Sequence, residues 1–334
     1  HRIKVAYDAP FHDLSKWREL AELGLFSALA DESVGGFGGT GFDIAVIFEA
    51  LGKALNCEPF LPLVMASRIL GSAGRDQKTL LEGEQNYAVA ISEPDAPYEL
   101  TDISCTATSD HRLSGRKSAV YGGQFAQTFL VAAKVGNKVN LYQVNASDAE
   151  VIIYGLIDGG GAAEVLLDDT QAELLIENAA QALSGAMNVG IVALCAEAVG
   201  LMAVSYEMTV DYLRQRKQFG RPIGSFQALQ HRAVDMLTEI EQARSITIKA
   251  AAELDGPQAS RYASMAKNLI GRASRLIAEE AIQLHGGIAM TWEYPVSHYA
   301  KRLIMLDHQL GDTDYHLSKV IDDLASGSPN LREA

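Results

Sequence analysis

Apolar positions repeat every three or four residues from the start of the readable pattern. Leu14, Trp17, Leu20, Ala21 and Leu25 share one helical face, and 42–55 is a second amphipathic run. The pattern predicts helices over 14–84, interrupted at Gly24 and at the cluster Gly35, Gly36, Gly38 and Gly39. That cluster lacks the Lys-Ser/Thr ending of a phosphate-binding loop and has no strand before it, so it reads as a connection between helices. From Tyr87 to about Asp169 the texture changes. Short β-branched and aromatic runs at 87–91, 118–121, 128–132, 139–144, 151–154 and 163–167 alternate with Asp, Gly, Asn and Pro. These predict a small antiparallel β domain. Helical periodicity then returns in four long stretches, 187–216, 227–253, 258–285 and 296–324, with joints at Pro257 and at Gly286-Gly287.

Three domains follow: helical over 1–85, β over 86–170, and a helical bundle over 171–334. The fold class is α+β. The 28 basic against 42 acidic residues leave a net charge of −14, which disfavours a nucleic-acid partner without excluding a small anion held by local arginines. Three widely spaced cysteines, Cys57, Cys105 and Cys195, form no metal pattern and fit a reducing, cytoplasmic setting. No uninterrupted apolar run reaches the roughly 18 residues a bilayer requires, and no membrane span is expected. Neither end reads as a targeting signal.

The densest chemistry lies where the long 187–216 stretch ends. Arg216-Lys217-Gln218-Phe219-Gly220-Arg221-Pro222-Ile223-Gly224-Ser225-Phe226-Gln227 sets guanidinium, amide and aromatic groups around one bend. Arginine meets phosphate oxygens with a planar fork that lysine cannot copy. A solvated cationic helix end is the plainer account of Arg216-Lys217 alone. A second block, Gln283-Leu284-His285-Gly286-Gly287, lies further on.

Together, and in this order, the two blocks resemble the flavin-binding signatures of the acyl-CoA dehydrogenase family. The order helical, β, four long helices is that family's layout, so the resemblance covers essentially the whole chain. It implies an N-terminal helical domain lacking its first helix, a middle β domain and a C-terminal four-helix bundle. It also implies FAD as cofactor, an acyl-CoA substrate, an oligomer of homologous subunits and an electron-transferring flavoprotein as acceptor. Carried over by position, Arg216, Gln218 and Phe219 match contacts to diphosphate and adenine, and Phe226 and Gln227 match further cofactor contacts. Gln283, Gly286 and Gly287 match the second diphosphate turn. Ser92, in Ile91-Ser92-Glu93-Pro94, matches a hydroxyl facing the flavin ring. The family's next flavin-facing strand carries Trp-Ile-Thr-Asn; here Ala119 stands at the Trp position and Tyr121 at the Thr position.

The family's catalytic carboxylate has two known positions. In the turn before the last helix, counting from Ala300-Lys301 puts Asp307 there, whereas anchoring on Gly311 puts Leu310 there. The alternative position on the long helix is Gly190, and nearby Glu197 reads as an ion pair inside the bundle or at a subunit contact. Asp307 is the remaining candidate base, with a side chain one methylene shorter than Glu. Asp312, Asp314 and His316 read as a solvated first helical turn, with Asp312 or Thr313 as cap, rather than a metal site. Three functions stay open. The preferred one is a subunit of a heteromeric dehydrogenase whose partner supplies the glutamate, similar to the smaller subunit of pimeloyl-CoA dehydrogenase. The others are a self-sufficient homomeric enzyme using Asp307, and a flavin-free scaffold.

Overall fold

The computed structural model describes residues 14–100 and 102–326. They divide into two compact units, one reaching Asp43 and resuming over Cys57–Gly190, the other made of Ile44–Asn56 and the chain from Ile191 onward.

The helices come first: α1 (Leu14–Glu22), α2 (Leu25–Ala28), α3 (Gly41–Lys53), α4 (Phe60–Ser72) and α5 (Lys78–Leu81). The glycine cluster forms the connection between α2 and α3, and Gly24 takes the left-handed conformation that separates α1 from α2 (φ 79°). Trp17, Phe26 and Phe60 bring rings from α1, α2 and α4 together, with centroids 4.4–5.8 Å apart. The Trp17 indole N–H, buried with them, donates to Asn86 Oδ1 at 2.9 Å.

The first unit's sheet has eight strands: β1 (Tyr87–Ala90), β2 (Thr106–Ala107), β3 (Arg112–Tyr121), β4 (Thr128–Val135), β5 (Lys138–Asn145), β6 (Glu150–Gly155), β7 (Gly161–Gln171) and β8 (Glu173–Ile176). Their order is β6-β7-β3-β2-β4-β5-β8, with β1 also on β4. The sheet is mixed rather than wholly antiparallel: β1 and β2 run parallel to β4. Long connections separate those strands in sequence, which a parallel pairing requires and a hairpin does not. The sheet also extends beyond residue 170, because β8 pairs with β5 before helix resumes at Ala180. Central β4 is buried from Thr128 through Ala133, so it reads as a continuous apolar run instead of an alternating one.

The remaining helices are α6 (Ala180–Gln215), α7 (Gln227–Ala252), α8 (Ala259–His285), α9 (Val296–Asp307) and α10 (Thr313–Ala325). The expected fourth long helix over 296–324 is two. It breaks where Leu310 and Gly311 both adopt positive φ (58° and 101°), and α10 restarts with the Asp312 carboxylate accepting from Tyr315 N at 2.8 Å. In the second unit α8 packs against α7, α9 and α10. There α3 crosses α6 closely enough that a Cβ on Gly52 would lie 2.1 Å from the Glu197 carbonyl oxygen, and one on Gly200 2.1 Å from that of Glu49. By length and composition α6 is long and apolar enough to cross a bilayer, although Glu197 interrupts its apolar run. Of its most apolar window 83% is buried inside the fold, as in the core helix of a folded domain.

Candidate functional site

The Arg216 block is a bend with defined geometry. The Arg216 N–H still closes onto the Tyr212 carbonyl at 2.8 Å, so its backbone continues the last turn of α6. The chain then folds into a miniature hairpin, β9 (Lys217–Gln218) against β10 (Arg221–Pro222). Phe219 and Gly220, at its tip, both have positive φ (54° and 75°). Two central residues of that kind make the primed turn that matches strand twist, a role usually given to Asn-Gly. A phenylalanine there is unusual for a bulky residue, and it is 90% exposed. Its ring meets Phe226 edge to face at 6.1 Å, and the Arg221 guanidinium lies 4.2 Å from the Phe226 centroid.

The return into α7 is equally fixed. Ile223 N donates to the Arg216 carbonyl at 2.8 Å, Ser225 Oγ to Pro222 O at 2.7 Å, and Gln230 Nε2 to Gly224 O at 2.8 Å. Phe226 caps α7 without a side-chain hydrogen bond, and its carbonyl takes the Leu229 and Gln230 N–H groups, so the open donors of the first turn are those of Gln227 and Ala228. Among the described residues, Arg216, Lys217 and Arg221 enter no ion pair. These cations, the open helix start and an exposed ring suit a diphosphate joined to a flat base.

The second block ends α8. Gly286 holds φ 67° and ψ −147°, a conformation essentially reserved for glycine, while its N–H returns to the Gln283 and Ile282 carbonyls. Around Gly286 and Gly287 a Cβ would meet nothing within 4 Å, so their backbone is open to an approaching group. Gln283, Gly286 and Gly287 are exposed, whereas Leu284 and His285 are buried and anchor the turn. The residues present therefore fit an FAD diphosphate.

In the first unit Ser92 follows β1, and its carbonyl accepts from Ser118 N at 3.0 Å. Sequence reasoning missed what holds it. Glu93 is 2% exposed and accepts from Lys117 Nζ at 2.7 Å, Ser104 N at 2.6 Å, Ser104 Oγ at 2.7 Å and Cys105 N at 3.0 Å. Burial pushes the Glu93 carboxyl up, but Lys117 and Ser104 outweigh it and the net direction is down. Lys117 is itself fully buried, a position no local signal betrays. At Ser118-Ala119 the pairing of β3 with β7 shifts register, and Ala119 takes φ 49°. The Ala119 N–H donates to Glu164 Oε1 at 3.4 Å, and the same carboxylate takes Arg116 Nε at 2.9 Å and the Tyr154 hydroxyl at 3.2 Å.

The carboxylates at or near the two base positions are both engaged. Glu197 forms a forked pair with Arg302, Nε to Oε1 at 2.7 Å and Nη2 to Oε2 at 2.8 Å, with the carboxylate 5% exposed. Asp307 accepts from Thr313 Oγ1 at 2.9 Å and lies 3.9 Å from Lys267 Nζ. Buried Lys267 also donates to the Asp307 carbonyl at 2.9 Å and the Gly311 carbonyl at 2.7 Å. Gly271 makes room for this arrangement: a Cβ there would fall 2.1 Å from Asp307 Oδ1. Beside it, buried His316 makes contacts at 2.9 Å to the Leu310 carbonyl and 3.2 Å to Ser264 Oγ. Leu310 itself presents a hydrocarbon side chain.

Comparison with known proteins identifies the family. Residues 179–324 match the model of the acyl-CoA dehydrogenase C-terminal domain. The chain is 32% identical over 297 residues to acyl-CoA dehydrogenase IpdE2 of Mycobacterium tuberculosis, covering 87% of this chain and 80% of that one. Among solved structures, the Tcur3481-Tcur3483 steroid ACAD variant superposes with TM-score 0.89 at 27% identity, covering 97% of this chain and 92% of the other. The ChsE4-ChsE5 complex from Mycobacterium tuberculosis superposes with TM-score 0.86 at 24% identity, over 95% and 89% of the two chains. This chain belongs to the acyl-CoA dehydrogenase family, whose members are FAD-using oxidoreductases.

Proposed function

We propose that the chain is one subunit of a heteromeric acyl-CoA dehydrogenase, acting in α,β-dehydrogenation of a CoA thioester, with the catalytic glutamate supplied by a homologous partner. The observation that carries this reading is the turn at 307–313, where Asp307 is engaged by Thr313 and Lys267 and Leu310 offers no proton acceptor. A base must come within hydrogen-bonding reach of the substrate proton, and a displacement of about 1 Å costs about a hundredfold. Likeness to a structure whose name pairs two chains, Tcur3481-Tcur3483, supports the heteromeric assembly and a bulky, steroid-like acyl group. Ala119, small where the family places an indole, fits the same acyl class.

Bound FAD supplies the oxidant for the hydride leaving the β-carbon. This chain's residues do the holding. Arg216 would pair with the diphosphate, Gln218 and Phe219 would receive the adenine end, and Phe226 and Gln227 would add further cofactor contacts. Gln283, Gly286 and Gly287 would approach the phosphates through open backbone; Ser92, in the other unit, would offer its hydroxyl to a flavin ring. The exposed tip at Phe219 suits a cofactor shared across a subunit boundary. The acceptor that fits this reading is an electron-transferring flavoprotein.

The test is reconstitution. The chain purified with a homologous subunit encoded beside it should be yellow and oxidise an acyl-CoA, and Asp307→Asn should leave that turnover within about twofold. Full activity of the chain alone, abolished by Asp307→Asn, would establish the homomeric reading instead. Absence of flavin in both preparations would leave a scaffold.

A further inference from the structure

His285 lies within the second block, buried among its exposed groups. It is 3% exposed, and its Nδ1–H donates to the Ala281 carbonyl at 2.7 Å, which fixes the ring across the end of α8. Nε2 makes no well-formed hydrogen bond, although the Met208 backbone acts on the ring as a second acceptor, and two aromatic rings pack beside it. One face meets Tyr212 with centroids 4.7 Å apart and planes inclined by 31°. Tyr294 approaches at 5.1 Å and 58°. Both tyrosines also touch one another, at 6.3 Å and 72°, closing a three-ring cluster.

The neighbours of these rings give the cluster its meaning. The Tyr212 carbonyl receives the N–H of Arg216, so a shift of Tyr212 carries the guanidinium with it. The residue after His285 is Gly286, whose own N–H closes the second turn. A single tilted ring contact therefore ties the backbone that presents Arg216 to the backbone that presents Gly286 and Gly287. We infer that His285 is a positioning residue for the cofactor: its ring, packed on Tyr212, sets the spacing between the arginine and the glycine turn that together grip the diphosphate. The inference rests on the diphosphate placement proposed above.

The measurement is titration of the apoprotein with FAD, followed by flavin fluorescence, with the homologous subunit present if wild type needs it. His285→Ala should raise the dissociation constant about tenfold, and His285→Phe, which keeps a ring, should stay within about threefold of wild type. Because His285 acts through Arg216, adding His285→Ala to Arg216→Ala should weaken binding by no more than about twofold further. A role in general stability alone would make the two losses multiply. Where His285→Ala does not fold, Tyr212→Leu removes the same contact from the other side and is read in the same way. Wild-type affinity in His285→Ala while Arg216→Ala loses FAD would overturn this inference and leave the placement standing. Multiplying losses, or a folded Phe variant as weak as Ala, would overturn it as well. Unchanged affinity in Arg216→Ala would remove the placement itself.

Discussion

Two lysines carry much of the interior architecture, and both look like surface residues in sequence. Lys117 has a fully buried ammonium facing Glu93, whose carboxylate is 3% exposed. Each ion alone would be intolerable there, and each is made tolerable by the other and by the donors around Glu93. Truncating one partner strands the other, so Lys117→Met should cost about 3–5 kcal/mol of stability. Urea titration measures it, and a loss below about 1 kcal/mol would show the pair to be dispensable. Lys267 does comparable work in the other unit, binding two backbone carbonyls of the 307–313 turn. The burial of both was unreadable because lysine's periodic position says nothing about a carboxylate or carbonyl met far along the chain. Glu197 is the instructive contrast. Its place on an apolar helix demanded an ion pair, but Arg302, 105 residues away, could only be named once the helices were packed.

At the scale of elements, the long helices and most strands were legible because their periodicity extends over many residues. What escaped was short or set by tertiary pairing. β2 and the hairpin strands β9 and β10 have two residues each, too few for any period. β8 depends on β5 for its identity. The break between α9 and α10 had a local signal in Gly311 and Asp312, but not the strained Leu310 before them. That break also holds a pH-sensitive group. Burial pushes the His316 imidazole down to about 4, with the Leu310 carbonyl opposing and the Lys267 charge assisting. Lys319 also lowers it and Asp312 raises it. The unfolded chain therefore binds a proton between about pH 6.5 and 4 that the folded chain does not, so stability rises with pH across that window. The contribution is complete above about 6.5 and is lost as pH falls toward 4, on the order of 3 kcal/mol at most. Denaturation measured across this range should show the slope in wild type and a flatter profile in His316→Gln. Identical slopes would assign the acid sensitivity to other groups.

For the whole molecule, charge and exposure are unevenly placed. The chain carries a net −14, yet Arg216, Lys217 and Arg221 cluster without acidic partners among the described residues. The two blocks stood out in sequence because their groups are consecutive and chemically distinctive, and most of them are exposed. The groups expected to complete catalysis were not readable in the same way, since a base is defined by where a carboxylate is free, and Asp307 is engaged. The same contrast governs what isolation would do to this chain.

The hairpin tip turns this into a conflict between durability and use. An Asn in place of Phe219 would give the favoured residue pair for that turn and remove a benzyl group from water. Phe219→Asn should therefore raise the unfolding free energy of the lone chain by about 1 kcal/mol while weakening its hold on FAD. A screen for thermal robustness would select against this ring, and selection for catalysis would restore it.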